Sequence, residues 1–283
     1  MDNGKDGWRV GMITSPNLPG HRMTETSPGC RDPGGIILCR SVLDYPQLAA
    51  WALRIDAQYQ ALNEARQSED AAAANLLVIA ASERYVPTAS SFTIGVVLSD
   101  EDLSALFSEI NAKTAGAWIR DQLRNRVVCD LDQTWVRRQY APKHYPPLHA
   151  PHGWHQDGAL KFDFRSFPYG NFPSDALLPI VTCWIALDPC GAEAPGLELV
   201  TRRLDGLLAP AELTDESVRT RFTSQEFWCP VMEPGDALLF RGDILHRTHV
   251  TAAMTKDRTS IELRFFPAND LPPRLHEDRF TPF

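Results

Sequence analysis

No apolar run in this 283-residue chain approaches the length that spans a membrane. A cationic excess is missing too: 28 Lys and Arg stand against 36 Asp and Glu, a net charge of −8. Nucleic acid is therefore not an expected primary partner, because phosphate binding needs clustered Lys and Arg. Cysteine is sparse, with six residues at 30, 39, 129, 183, 190 and 229 and no CxxC pair. That scatter fits reduced thiols of a cytosolic protein. The sequence opens on acidic and glycine residues rather than a basic then apolar segment, so a cytoplasmic location is the expectation. GxGxxG, GxxxxGKS/T, GxSxG and HExxH are all absent. Their absence removes the commonest nucleotide, hydrolase and zinc-protease readings. No internal repeat occurs.

What is present is an ordinary globular composition, 43% hydrophobic and 23% charged, able to bury a substantial core. Residues 1–34 are rich in Gly, Pro, Ser and Thr and read as a flexible arm. Residues 35–283 read as one domain. Ile36–Cys39 is a first strand, and Asp44 is placed to cap a helix running to about Gln67. Leu48, Trp51, Leu53, Ile55, Tyr59 and Leu62 would supply its apolar stripe. Residues 100–125 form a second helical region, with Leu103, Leu106, Phe107, Ile110, Trp118, Ile119 and Leu123 facing a sheet. From about 127 to 268 short strands and turns dominate. Helices about 44–125 followed by strands give an α+β class, with helices outside a double-stranded β-helix, a jelly-roll barrel.

The chemistry concentrates in Trp154-His155-Gln156-Asp157-Gly158. Strand side chains at i and i+2 share a face, so His155 and Asp157 can reach one metal while Trp154 and Gln156 point away. A third ligand must come from another strand, and His246 follows Asp157 by 89 residues. Glu233-Pro234-Gly235-Asp236 reads as a turn, Ala237–Phe240 as a buried strand, and Gly242-Asp243 as a further turn before His246. Two His and one carboxylate cover one face of an octahedron and leave three positions open, the ligand set of mononuclear iron(II) oxygenases. Zinc, which prefers tetrahedral catalytic sites, remains an alternative. Arg258 stands twelve residues past His246, at the start of the alternating run Thr259–Phe266. A guanidinium there can hold a carboxylate through two parallel hydrogen bonds. Arg264 competes for that role. His249 cannot share His246's face, being three residues on, and His149 and His152 fall in a proline-rich loop.

These residues resemble the phytanoyl-CoA dioxygenase family of iron(II)/2-oxoglutarate-dependent oxygenases. The resemblance covers Trp154–Gly158, the region Pro234–Phe266, and Cys183-Trp184-Ile185-Ala186-Leu187-Asp188 with Gly196–Val200. It implies that His155, Asp157 and His246 bind iron and that Arg258 binds the distal carboxylate of 2-oxoglutarate, with O2 as the oxidant. It also implies that Trp184, and more weakly Gln139, line the co-substrate pocket. Where the family continues with a Pro-Gly-Ser-His turn, this chain has Thr201-Arg202-Arg203. Halogenating relatives replace the carboxylate ligand by a small residue, so Asp157 disfavours halogenation and leaves hydroxylation, desaturation, cyclisation or epimerisation.

The connection after Asp157 carries Phe162, Phe164, Phe167, Tyr169 and Phe172, which suits a lid over a partly apolar small-molecule substrate. With the atypical turn, it favours natural-product tailoring over fatty-acid catabolism. The alternatives are a hydroxylase of a peptide, amino acid or acyl-CoA, a metal isomerase or a dioxygenase without 2-oxoglutarate on the same barrel, and a non-catalytic cupin-like binding protein.

Overall fold

A computed structural model of the chain describes residues 34–67, 91–93, 97–124, 126–131, 134–144, 151–159, 177–269 and 280–283. The expected arm (Gly34 apart), the aromatic connection Phe162–Phe172 and His149 lie outside the described residues.

Ten-residue β11 (Arg258–Pro267) organises the larger sheet. It pairs antiparallel with β6 (Val181–Ala186), β4 (Trp135–Gln139) and β3 (Val127–Asp130). The sheet order is β1-β9-β6-β11-β3-β12, with β1 at Ile36–Cys39, β9 at Ala237–Arg241 and β12 at Phe280–Pro282. β2 (Ser91–Thr93) extends it beside β4. A four-stranded sheet runs β5-β10-β7-β8, from His155–Gln156 through Leu245–His249 and Gly196–Val200 to Phe227–Trp228. The two antiparallel sheets make the expected double-stranded β-helix.

The period-two alternation of the strands separates two cores. Ile261, Leu263 and Phe265 of β11, Val181, Cys183 and Ile185 of β6, and Ala237 and Leu239 of β9 face the helices. Their alternate neighbours Trp184, Ala186, Leu238 and Phe240 join Ile36, Leu197, Leu199 and Ile244 between the sheets. Facing inward on β11 are polar residues instead, Arg258, Ser260 and Glu262, all buried, with Arg264 beyond them.

α1 (Tyr45–Gln67) buries Leu48, Trp51, Ile55 and Tyr59, a stripe at helical spacing. Two of these reach across the core: Trp51 Nε1 donates to Asp102 Oδ1 (2.9 Å) and the Tyr59 hydroxyl to the Val136 carbonyl (3.1 Å). Leu53 departs from the expected stripe and is 73% exposed, because two residues past Trp51 is some 200° round the helix. The second helical region is two helices, α2 (Asp100–Ala112) and α3 (Thr114–Leu123). They break at Lys113, whose backbone is extended, and a Cβ on Gly116 would meet Asn111 Cα at 2.7 Å. α2 starts on a capping box between Ser99 and Asp102, with three acidic residues in its first turn. Among the described residues no helix is long and apolar enough to cross a membrane.

The expected turn at Glu233–Asp236 forms, with Asp236 N donating to Glu233 O (3.0 Å). Pro234 precedes Gly235 at φ +90°, the arrangement of a type II turn. The stretch 207–226 lies outside the barrel. Its short helix α4 (Asp215–Arg221) sets Val218, with Phe222 just past its end, against Trp154 and Leu245 on the outer face of the small sheet.

Candidate metal centre

The gap between the two histidines closes by direct pairing of β5 with β10. His155 stands opposite His246, and Gln156 opposite Leu245. Opposed residues on one face of an antiparallel pair are near neighbours, and the two imidazole centroids lie 4.2 Å apart. Asp157 is the first residue of the turn that follows, so the expected shared strand covers only His155 and Gln156. Past that short strand the two segments are joined once more, Gly158 N donating to the Gly242 carbonyl. Even so, Asp157 Oδ1 reaches 3.7 Å from His155 Nε2 and 3.8 Å from His246 Nε2. One ligand atom from each of the three residues falls within 4.8 Å of the others, the span of a single bound ion.

Both imidazoles are oriented alike. His155 Nδ1 lies 2.7 Å from the Gly153 carbonyl, and His246 Nδ1 lies 3.0 Å from the Ile244 carbonyl. A carbonyl only accepts, so each Nδ1 carries the hydrogen and each Nε2 presents its lone pair inward. The middle residue of the motif secures the same segment: Gln156 Nε2 donates to the Asp243 carbonyl (3.0 Å) and its Oε1 accepts from Leu208 N (2.8 Å).

Asp157 is buried, and burial alone would push its carboxyl up. The Arg264 guanidinium, His246, His155 and the Thr182 hydroxyl together outweigh that and hold it well below the usual carboxylate range. Thr182 Oγ1 donates to Oδ2 at 2.5 Å, and Arg264 Nη2 donates to Oδ1 at 3.2 Å. His246 is brought down to about 4, by burial first and by neighbouring His155 second. A neutral imidazole and an ionised carboxylate are the forms a metal binds.

Arg258 and Trp184, the two residues expected at the co-substrate, come together: the guanidinium carbon lies 4.7 Å from the indole centroid. Arg258 is 1% exposed, and Nη1 donates to Ser260 Oγ at 2.5 Å. Arg258 Nε and Trp184 Nε1 are buried and make no hydrogen bond among the described residues. A buried guanidinium without a carboxylate in hydrogen-bond contact is costly until an anion arrives. This pair of idle donors therefore fits an acidic ligand. Gln139 is buried in β4 directly opposite Arg258. Arg264, the competing arginine, pairs through Nη2 with Asp157 at 3.2 Å and with Glu262 at 3.8 Å, while its buried Nη1 makes no hydrogen bond among the described residues.

The other candidates lie elsewhere. His249 faces outward with Glu198 and Cys229, and that carboxylate already holds Arg219 and Arg247, each at 2.7 Å. His152 is exposed, its ring edge-on to His155 at 5.4 Å. The atypical Arg203 binds Asp243 at 3.0 Å, bracing the turn before His246. Sequence reasoning missed Thr182, and it missed Arg137 and Glu262, which stand beside the candidate Arg264 in a second rank. The signal was there in β11, whose inward positions 258, 260, 262 and 264 are polar while the intervening ones are apolar.

The model of the phytanoyl-CoA dioxygenase family matches residues 33–255. No curated protein sequence matches significantly. Among solved structures, EctD from S. alaskensis with bound Fe superposes with a TM-score of 0.56 at 14% identity, covering 95% of this chain and 84% of EctD. EctD from S. alaskensis with 2-oxoglutarate and 5-hydroxyectoine gives 0.55 at 14%, over 93% of this chain and 86% of EctD. AviO1 from Streptomyces viridochromogenes Tue57 gives 0.51 at 13%, over 84% and 92%. At such identities these likenesses establish the fold, and the family match goes further. The chain belongs to the phytanoyl-CoA dioxygenase family and is a non-haem iron, 2-oxoglutarate-dependent dioxygenase.

Proposed function

We propose that His155, Asp157 and His246 hold one iron(II) ion and that Arg258 takes the distal carboxylate of 2-oxoglutarate, so that the enzyme oxidises a small organic substrate. The carrying observation is the convergence of two Nε2 atoms on one Asp157 oxygen, with both Nδ1 atoms tied to backbone carbonyls. Two His and one carboxylate suit iron(II) with open positions better than four-coordinate zinc. Iron and 2-oxoglutarate, when bound, supply an oxidant able to remove hydrogen from an unactivated carbon. The protein's own part is orientation and exclusion of water. Thr182 fixes the carboxylate, Gly153 and Ile244 fix the imidazoles, and Trp184 covers the Arg258 guanidinium.

Gln139 lines the co-substrate side, on the strength of its place opposite Arg258. The ionised Asp157 occupies the position that halide needs in a halogenase, which leaves hydroxylation, desaturation, cyclisation or epimerisation as the outcome. Natural-product tailoring is the preferred role, because the Thr201-Arg202-Arg203 turn departs from the family core. The described cysteines are free thiols, which suits the cytoplasm.

The test is anaerobic loading with iron(II) and 2-oxoglutarate, then exposure to O2. Succinate should form and O2 should be consumed, both stopping on chelation. Oxygen uptake that survives chelation, or that needs no 2-oxoglutarate, would sink the reading. The intact ligand set argues against a non-catalytic barrel, and a purified protein that binds no iron(II) would restore that alternative.

A further inference from the structure

From the bonds on the outer face of the small sheet we infer that Asp215 is a positioning residue of the metal centre; this rests on the function proposed above. Asp215 ties Trp154, the neighbour of His155, to Arg247, the neighbour of His246. It thereby sets the spacing of the two histidines from the face that the metal does not touch.

β5 is the weak point of the site. It is two residues long and lies at the edge of the four-stranded sheet, with β10 as its neighbour on one side. Two residue pairs join the strands. One backbone bond follows beyond each end, from Thr248 N to the His152 carbonyl (3.0 Å) and from Gly158 N to the Gly242 carbonyl (2.9 Å). A strand with an unpaired edge lacks restraint on that side. Any twist of so short a strand about its axis turns the His155 imidazole with it.

The connection between β7 and β8 supplies the missing restraint, and it grips both ligands by their neighbours. Side chains next to an inward residue of a strand point outward. Around His155 these are Trp154 and Gln156, and around His246 they are Leu245 and Arg247. Trp154 Nε1 donates to Asp215 Oδ1 (3.0 Å), and Arg247 Nη1 donates to the same oxygen (2.5 Å). The Arg247 guanidinium carbon also lies over the Trp154 ring, 4.7 Å from its centroid. Gln156 accepts from Leu208 N (2.8 Å) and donates to the Gly206 carbonyl (3.1 Å). Leu245 packs in one cluster with Leu204, Leu208 and Val218.

One carboxylate oxygen thus spans the two strands that carry the histidines, one residue away from each ligand. Trp154 is 5% exposed, and a buried indole N–H needs an acceptor. Arg247 Nε is committed to Glu198 Oε2 at 2.7 Å, and Glu198 stands opposite Arg247 on β7. That pair stays within the β10–β7 ladder, whereas Asp215 reaches back to β5. Removing the Asp215 carboxylate would orphan the indole and uncouple Trp154 from Arg247, with every backbone bond of the sheet still in place.

The experiment titrates the full metal-free chain with cobalt(II), read by its visible bands, and records Tm on the same samples. Asp215→Ala should raise the Kd about tenfold, the lower end of what a lost support to a metal ligand costs. It should also shift the bands, because the donors are re-aimed. Asp215→Asn keeps an acceptor for Trp154 and loses the charge facing Arg247, so it should fall between; it carries the test if Asp215→Ala does not fold. Trp154→Phe should reproduce part of the loss and add nothing to Asp215→Ala, since both delete one bond. Val218→Ala loosens the same helix without touching Asp215, and should lower Tm comparably yet bind cobalt(II) normally. With iron(II) saturating, the KM for 2-oxoglutarate should be unchanged in every variant, because Arg258 belongs to the larger sheet. Unaltered cobalt(II) affinity and bands in the Asp215 variants would overturn the inference. Additive losses with Trp154→Phe would do the same, as would equal weakening by Val218→Ala, which would assign the effect to helix docking. An unaltered protein that binds no cobalt(II) would remove the metal centre itself, and this inference with it.

Discussion

The amide of Gly158 donates to the carbonyl of Gly242 over 2.9 Å, which joins the turn carrying Asp157 to the turn that leads into His246. The contact is tight on both sides. A Cβ on Gly158 would meet Leu177 Cδ1 at 2.5 Å and the Gly242 and Leu178 carbonyl oxygens at 3.0 Å, and a Cβ on Gly242 would meet Gly158 Cα at 3.0 Å. The Leu177 side chain can turn aside, but the backbone contacts at 3.0 Å must give by a few tenths of an ångström. The distance between the carboxylate and the second histidine is therefore set by two glycines that touch no metal.

Gly158→Ala should consequently damage the metal centre more than the fold. Overpacking of this kind costs roughly 1–3 kcal/mol, and the displaced turn carries Asp157. The expected outcome is a modest fall in Tm of the metal-free protein with at least a tenfold loss in iron(II) affinity. Full affinity in a folded variant would show that the turn does not position Asp157.

Thr182→Val removes the hydroxyl that donates to Asp157 Oδ2 at 2.5 Å while keeping the side chain's shape. Losing such a support to a metal ligand usually costs ten- to a hundredfold in metal affinity or activity. Titration with cobalt(II), followed by its visible absorption, measures the loss. An unchanged dissociation constant would mean that Arg264 alone is sufficient to hold the carboxylate.

Arg258→Gln should raise the KM for 2-oxoglutarate by about 30-fold or more, since truncating one partner of a buried charge pair costs at least about 2 kcal/mol. Iron binding should be retained, because Arg258 contacts Ser260 and Trp184 rather than the metal ligands. Arg264→Gln is the informative contrast. Arg264 touches Asp157, so its loss should weaken metal binding instead. If Arg264→Gln raised the KM for 2-oxoglutarate and Arg258→Gln did not, the two roles would have to be exchanged.

Acid should destabilise the metal-free protein early. His246 titrates near 4 in the folded chain, against about 6.5 when unfolded. Between those values the unfolded chain binds a proton that the folded one refuses. Stability is therefore present in full above pH 6.5 and is lost as the pH falls toward 4. The loss is on the order of 3 kcal/mol at most. Asp157, whose folded carboxyl is held low, adds little until the pH nears 4, where the unfolded carboxyl begins to take up a proton that the folded one refuses. Melting curves from pH 7 to 4 should fall more steeply for the unaltered metal-free protein than for His246→Gln; parallel curves would refute the assignment.

The barrel was legible because its strands are punctuated. Glu233-Pro234-Gly235-Asp236 forms the turn that its proline and glycine demand, and β1, β7 and β9 fall where apolar runs meet such turns. Helix α1 was legible in its limits and less so in its face, since Leu53 is apolar yet exposed. The break at Lys113 was hidden because apolar spacing continues across it, and it shows in the extended backbone of Lys113 and the close approach of Gly116 to Asn111. Thr182 and Arg137 were illegible as site residues. Each sits in a run that reads as ordinary strand, and nothing local says which distant carboxylate or histidine it will meet.

By itself the sequence determined the ligand types and their order: a His and a carboxylate two apart, a second His far downstream and an arginine beyond it. Those are covalent facts, and the metal chemistry follows from them. Tertiary structure decided the rest through register. The pairing of His155 with His246, and of Arg258 with Gln139, turns separations of dozens of residues into cross-strand neighbours. A one-residue slip in either ladder would send every inward side chain to the opposite face. Which arginine reaches the metal carboxylate and which lies against Trp184 is therefore a property of the folded sheets.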